Sequence, residues 1–252
     1  MCTLILLNRP DHEWPMLIAA NRDERVDRAW DAPAAWWSDY PGVIGGRDRS
    51  AGGTWMALGP NGVLAAALNR PGSLGPAAGK RSRGELPLMA ANAETAEAAA
   101  DAITRLDAGA WRPFNLVIAD RRSAFYIEAL GEGRPQAMVL TPGLSMVTSH
   151  PPNDESHPRT RRHLPRFRAA GAPDPTQGDW RAWEERLADD SHEGDLAATL
   201  KVPLLRGYGT VSASLLGFGA AGERLWRFCP APPGDGAFKQ LELPGDRPRL
   251  GA

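Results

Sequence analysis

Cysteine and lysine are scarce in this chain of 252 residues, and each scarcity narrows its role. The two cysteines, Cys2 and Cys229, are too few for a disulfide framework and cannot alone furnish a thiolate zinc site. Lysine occurs only at Lys80, Lys201 and Lys239; the other basic residues are arginine, and 29 cationic residues stand against 30 acidic ones. A net charge of -1 supplies no overall field for nucleic acid or an anionic membrane, which excludes both as general partners. No apolar run approaches the ~18 uncharged residues of a spanning helix, so stable membrane insertion is not expected. The N-terminus also lacks the basic flank and small-residue cleavage site of a signal peptide. His12, His150, His157, His163 and His192 show no HExxH or other metal-ligand spacing, and neither an EF-hand loop nor a P-loop occurs. A cytoplasmic, reducing setting without a bound metal is the expectation. The preference for Arg, Ala and Gly is that of a GC-rich bacterial genome.

What is present is a series of short apolar runs divided by turn residues. Cys2 to Asn8 and Pro15 to Asn21 read as buried strands around a tight reversal, and Thr54 to Leu58 and Val63 to Asn69 flank the hairpin signal Asn61-Gly62. Between them, Trp36 to Gly53 has no period and reads as an ordered loop. Gly84 to Asp107 carries two helices. Strands are expected at Phe114 to Ala119, Ser123 to Leu130, Ala137 to Leu140 and Leu144 to Thr148. Helices follow at Arg159 to Ala170, limited by Pro165, and at Trp180 to Asp189 and Asp195 to Lys201. Thr210 to Leu216, Leu225 to Cys229 and Phe238 to Leu243 close the chain as strands. Hairpin-joined strands with helices outside predict an α+β fold of mainly antiparallel sheets, in one domain over residues 1–252.

Cys2 is where chemistry gathers. Removal of the initiator methionine before a small residue would leave Cys2 with its thiol and a free α-amine, and an N-terminal nucleophile uses that amine as its own base. An amine near ~8 and a thiol near ~8.5 need only a modest field to give thiolate at neutral pH. Pairing Asn8 with Pro15 across the turn sets Cys2 opposite Asn21, within about two residues. The cluster Asn21-Arg22-Asp23-Glu24 then lies beside the thiol, where arginine favours thiolate and a carboxylate orients the amine. The plain alternative is a buried cysteine beside a salt-bridged strand end.

Met1-Cys2 with Leu17-Ile18-Ala19-Ala20-Asn21-Arg22-Asp23-Glu24 resembles the NRDE family, also called the transport and Golgi organisation protein 2 family. The resemblance extends through Gly52-Gly53-Thr54-Trp55, Ala66-Ala67-Leu68-Asn69, Arg83-Gly84-Glu85-Leu86, Phe114 to Asp120, Leu140 to Ser145 and Gly207-Tyr208-Gly209-Thr210. It implies a four-layer αββα sandwich of the N-terminal nucleophile (Ntn) hydrolase type, similar to penicillin V acylases and bile salt hydrolases. Carried over by motif, Cys2 is nucleophile and base, Asn69 donates to the oxyanion, and Arg22 and Asp23 tune thiol and amine. The acylases space their Arg and Asp three apart, so Asn21 with Glu24 is the alternative pair. Where the acylase pattern has a second oxyanion Asn, this chain has Ser149 or His150; where family members often carry Arg after Gly209-Thr210, it has Val211. Losing one oxyanion donor typically costs ~3 kcal/mol. The family is also associated with haem trafficking, which makes haem, or another small hydrophobic molecule, the competing ligand.

The remaining signals are weaker. Gly217 to Gly222 has dinucleotide-loop spacing but no following helix, and reads as a hairpin turn. The basic run Arg159, Arg161, Arg162, His163, Arg166 and Arg168 reads as a solvated helix face, or else as a surface for a carboxylate, phosphate or haem propionates. Cys229-Pro230 reads as a buried strand end. Of nine tryptophans, Trp30, Trp36, Trp37 and Trp55 stand nearest the site, either as core or as the wall of an apolar pocket. The expectation is a Cys2-dependent hydrolase of an amide or ester of a hydrophobic acyl group, needing no cofactor. A non-enzymatic carrier of haem or a similar lipophile is the alternative.

Overall fold

The computed structural model describes residues 2–244. In chain order its elements are β1 (Thr3–Asn8), β2 (Met16–Arg25), β3 (Trp30–Ala34), β4 (Ile44–Asp48), β5 (Thr54–Leu58), β6 (Leu64–Asn69), α1 (Glu85–Ala91), α2 (Ala96–Thr104), β7 (Phe114–Ala119), β8 (Ala124–Ala129), β9 (Gln136–Val139), β10 (Gly143–Val147), α3 (Pro158–Ala169), α4 (Arg181–Leu187), β11 (Tyr208–Phe218), β12 (Arg224–Cys229) and β13 (Lys239–Gln240). Six strands form one sheet in the order β10-β1-β2-β11-β12-β13, and seven form the other, β3 through β9 in sequence. Pairing within both sheets is antiparallel, as strands linked by short turns require.

Alternation along the strands builds the layers. On β1, Leu4 and Leu6 join Ile18 and Leu216 against Met56, Leu64 and Val117 of the second sheet. Ile5 and Leu17 turn the other way, beneath Leu164 and Phe167 of α3 and Trp183 and Leu187 of α4. Ala65, Leu116 and Ile118 face outward under Leu86 of α1 and Ile103 of α2. Both faces of the central strands are therefore buried, and their sequences read as near-continuous apolar runs. Each such leucine or isoleucine contributes roughly 1.5–3 kcal/mol on burial, so these layers fix the register. The architecture is helices, sheet, sheet, helices: the expected α+β four-layer sandwich.

Particular elements depart from the sequence expectation. The segment read as an ordered loop contains β4, whose IGGRD sequence has no apolar period yet pairs with β3 and β5. Pro165 lies inside α3 rather than limiting it, because Leu164 and Phe167 on either side are held in the core. The third expected helix contracts to a single 3-10 turn at Leu196–Ala198, and the last strand to Lys239–Gln240. The Asn61-Gly62 hairpin forms as read, with Gly62 at φ 82° and Gly59 N–H donating to the Val63 carbonyl at 2.8 Å. Of Gly217 to Gly222, the first two residues end β11 and the rest form the β11–β12 turn, closed by Gly219 N–H to the Glu223 carbonyl at 2.8 Å.

Candidate active site at Cys2

The β1–β2 ladder pairs Thr3 with Asn21 and Asn8 with Met16. Continued by one residue, it sets Cys2 opposite Arg22, so the true register is one residue from that read in the sequence. The cause is the turn: Arg9 N–H bonds the Pro15 carbonyl at 2.8 Å, making Pro15 the partner of Arg9 rather than Asn8. A one-residue shift exchanges faces. Cys2 and Arg22 consequently share the face between the sheets, whereas Asn21 and Asp23 face the helices α3 and α4.

On the inner face Cys2 borders a small cleft, with Leu4, Arg22, Trp55, Met56, Leu68 and Ser212 among its lining. Cys2 itself is partly exposed, and its Sγ lies 3.8 Å from the Asp23 carbonyl. Burial of the sulfur pushes the thiol up, and the charge of Asp23 adds to this; the bond to the Asp23 carbonyl and the charge of Arg22 oppose it. Arg22 is 6% exposed. Its guanidinium stacks on Trp55, 4.0 Å from the ring centroid, with Trp30 at 5.6 Å. Its nearest carboxylate, Glu24, stands off at 4.0 Å. Burial lowers its pKa, while Cys2 and Glu24 raise it. Trp55 is seated by Gly46, where a Cβ would come within 2.1 Å of the indole.

The outer face holds the same strand end in place. Asp23 Oδ1 accepts from Thr210 Oγ1 at 2.7 Å, and Oδ2 from Arg159 Nη1 at 3.2 Å. Arg159 Nη1 also donates to Thr3 Oγ1 at 2.9 Å, so one buried guanidinium ties β1 to β2. Tyr208 Oη donates to the Asp23 carbonyl at 3.1 Å; burial pushes its pKa up, and it remains a neutral donor. Asn21 borders the cleft, but its amide donates to the carbonyls of Leu187 at 2.9 Å and Leu200 at 3.2 Å. These bonds give Asn21 a structural part at the helix side. Glu24 is one-quarter exposed and lies 3.9 Å from Arg28.

The candidate oxyanion donors lie on different elements. Asn69 ends β6 opposite Phe114, one residue beyond the cleft-lining Leu68. Ser149 is fully buried just past β10; continuing the Leu4–Val147 pairing sets it opposite Cys2, on the side away from Arg22. Its Oγ is 3.0 Å from His150 Nδ1, and His150 packs on His157 at 4.6 Å between ring centroids. Burial and the neighbouring His150 bring the His157 pKa down to about 4. Asn115 fixes this segment from the second sheet. Its Nδ2 donates to the carbonyls of Thr148 at 3.0 Å and His150 at 3.2 Å, and its Oδ1 accepts from Arg70 at 2.7 Å and Tyr126 at 2.8 Å.

Sequence reasoning missed Arg159, which lay in the run read as a solvated face. It and His163 are buried, Arg166 pairs with Asp189 at 2.7 Å, and Arg162 with Glu193 at 2.9 Å. The run is thus divided between core and surface ion pairs. Trp55 lines the cleft and Trp30 packs edge-on against Trp55 at 5.8 Å between ring centroids, whereas Trp36 is exposed beneath Arg47 and Trp37 donates to the Gly52 carbonyl at 2.7 Å. Cys229 is buried, its Sγ 3.3 Å from the Ala231 carbonyl. Among the described residues no group of three or more His, Cys, Asp or Glu is gathered as for a metal, and no helix is long and apolar enough to cross a membrane.

Solved structures with this fold include an N-acylethanolamine-hydrolyzing acid amidase ortholog from Caenorhabditis elegans, 12% identical, with a TM-score of 0.58 over 85% of this chain and 92% of that one. A cysteine-to-alanine mutant of conjugated bile acid hydrolase from Clostridium perfringens is 12% identical, with a TM-score of 0.52 over 98% and 94% of the two chains. An arginine-to-leucine variant of that hydrolase gives 0.55 at the same identity and coverage. No curated protein matches by sequence. These likenesses place the fold with the Ntn hydrolases. The family model for Transport and Golgi organisation 2 (TANGO2) matches residues 1–216, and the chain belongs to that family.

Proposed function

We propose that the protein is an Ntn-type hydrolase that cleaves an amide or ester of a hydrophobic acyl group, with Cys2 as nucleophile. The observation that carries this reading is the place of Cys2, at an apolar cleft between the sheets with a buried arginine beside it. The reaction needs a free α-amine on Cys2, and so removal of Met1. Attack forms a bond from Sγ to the carbonyl carbon while the thiol proton passes to the α-amine. The tetrahedral oxyanion collapses, the bond to the amine or alcohol breaks, and the α-ammonium returns the proton to that leaving group. Water then attacks the thioester with the α-amine again as base, releasing the acid and restoring the thiol. No cofactor enters this cycle.

The raised thiol pKa fits this sequence, because the thiol is held neutral until its proton has somewhere to go. Asn69 is the first candidate oxyanion donor, and Ser149 or His150 the second. Asp23 is held by Thr210 and Arg159 on the outer face, which makes it a fixed anchor for the strand carrying Arg22. The test is turnover of a panel of N-acyl amides and aryl esters by protein of verified N-terminus. Cys2→Ala is expected to abolish turnover while leaving the fold intact, and residual turnover in that variant contradicts the reading. Carriage of haem or another lipophile is the second reading, favoured by the same apolar lining; it predicts stoichiometric binding that survives Cys2→Ala.

A further inference from the structure

On β11, Thr210 pairs with Asp23 but Ser212 pairs with Arg22, leaving Val211 as the extra residue of a β-bulge. Without the bulge Ser212 would stand opposite Asn21 and face the helices. With it, Ser212 is carried to the inner face, directly across from Arg22. Both side chains line the cleft beside Cys2. Ser212 is 1% exposed and Arg22 6%, yet Ser212 Oγ and Arg22 Nη1 have no hydrogen-bond partner among the described residues. Buried polar atoms are rarely left unpaired, and two on adjacent strands facing one cleft mark a place for an outside acceptor. The neighbouring hydroxyl offers no relief, since Ser214 Oγ is engaged by Trp226 Nε1 at 3.2 Å. Arg22 pairs with Glu24 through Nη2, at 4.0 Å, which leaves Nη1 toward the cleft.

We propose that Ser212 and Arg22 form a carboxylate-binding pocket, so that the cleft takes an apolar ligand bearing a carboxylate. A hydroxyl and a guanidinium offer donors to the two oxygens of one carboxylate, and the apolar walls receive the chain attached to it. This deepens the hydrolase reading by naming the ligand class, an amide or ester with an acidic group close to the scissile bond.

The pocket is tested by calorimetric titration with octanoate and with 1-octanol, which share a chain and differ in the acid. Neither requires Cys2 to react. Wild-type protein is expected to bind octanoate about ten-fold or more tightly than octanol, the scale of a hydrogen bond to a charged group. Ser212→Ala should weaken octanoate binding by about ten-fold, leave octanol within two-fold, and melt no lower than wild type because it removes an unpaired hydroxyl. Ser212→Thr, which keeps the hydroxyl, should retain most of the preference and guards against a misfolded alanine variant. Equal affinity for octanoate and octanol, or an unchanged preference in Ser212→Ala, overturns the pocket. If octanoate binds selectively while Cys2 proves inert, the pocket stands and the hydrolase reading falls; reactive Cys2 without carboxylate preference gives the converse.

Discussion

The two faces of β2 carry consecutive polar residues to opposite ends. Toward the helices, Asn21 and Asp23 are engaged by backbone carbonyls, Thr210 and Arg159. Toward the second sheet, Arg22 has aromatic rings for neighbours and one nitrogen without a partner, opposite a serine in the same condition. The difference teaches which residues hold and which wait. The bonded side costs stability when broken, although Asn21 Oδ1 also lacks a partner among the described residues; the side facing the cleft is where we place ligand binding.

Substitutions on each face sharpen that contrast. The largest effect is on chemistry: Cys2→Ala should abolish thiol labelling at this site and all turnover, with the urea unfolding midpoint unchanged. Next is the outer ion pair. Removing one partner of a buried pair strands the other, so Asp23→Ala or Arg159→Met should lower unfolding free energy by roughly 3–5 kcal/mol. Arg22→Met should cost only about 1 kcal/mol, since it trades a stacking contact for relief of a buried charge. Equal losses at Arg159 and Arg22 would break the comparison.

The seat of Trp55 gives a smaller effect. Gly46→Ala drives a methyl into the indole, and should destabilise by about 1–3 kcal/mol while weakening octanoate binding through displaced Arg22. Per unit of pH the smallest effect belongs to His157 and His163, whose pKa values burial lowers to about 4. Between about 6.5 and 4 the unfolded chain takes up protons that the folded one refuses, so stability falls as pH falls through that window and levels off below it. Each histidine contributes at most about 1.4 kcal/mol per pH unit, measured by urea titration across pH. His163→Gln should flatten the slope by one proton.

Much of the fold was legible because hairpins announce themselves locally. Asn61-Gly62 set one turn, Gly217 to Gly222 another, and helical spacing gave α1 and α2. Cys2 was correctly brought to the end of β2, but one residue out, because sequence alone could not tell whether Asn8 or Arg9 meets Pro15. β4 stayed hidden since two glycines erase its alternation, and only its neighbours hold it as a strand. Arg159 was unreadable for a different reason: a helix with arginine on several faces gives no contrast, and only Asp23 and Thr3 determine which one turns inward. Ser212 left no trace. Thr210-Val211-Ser212 alternates polar and apolar without a break, and a bulge is defined by the partner strand, so it emerges only once pairing is known.

The most direct test of the account is the intact mass of purified protein before and after brief exposure to iodoacetamide, in wild type and Cys2→Ala. The expected result is a chain lacking Met1 that gains one carboxamidomethyl group, and a variant that does not, Cys229 being buried in both. A chain that retains Met1, or a Cys2 that stays unlabelled, would contradict it.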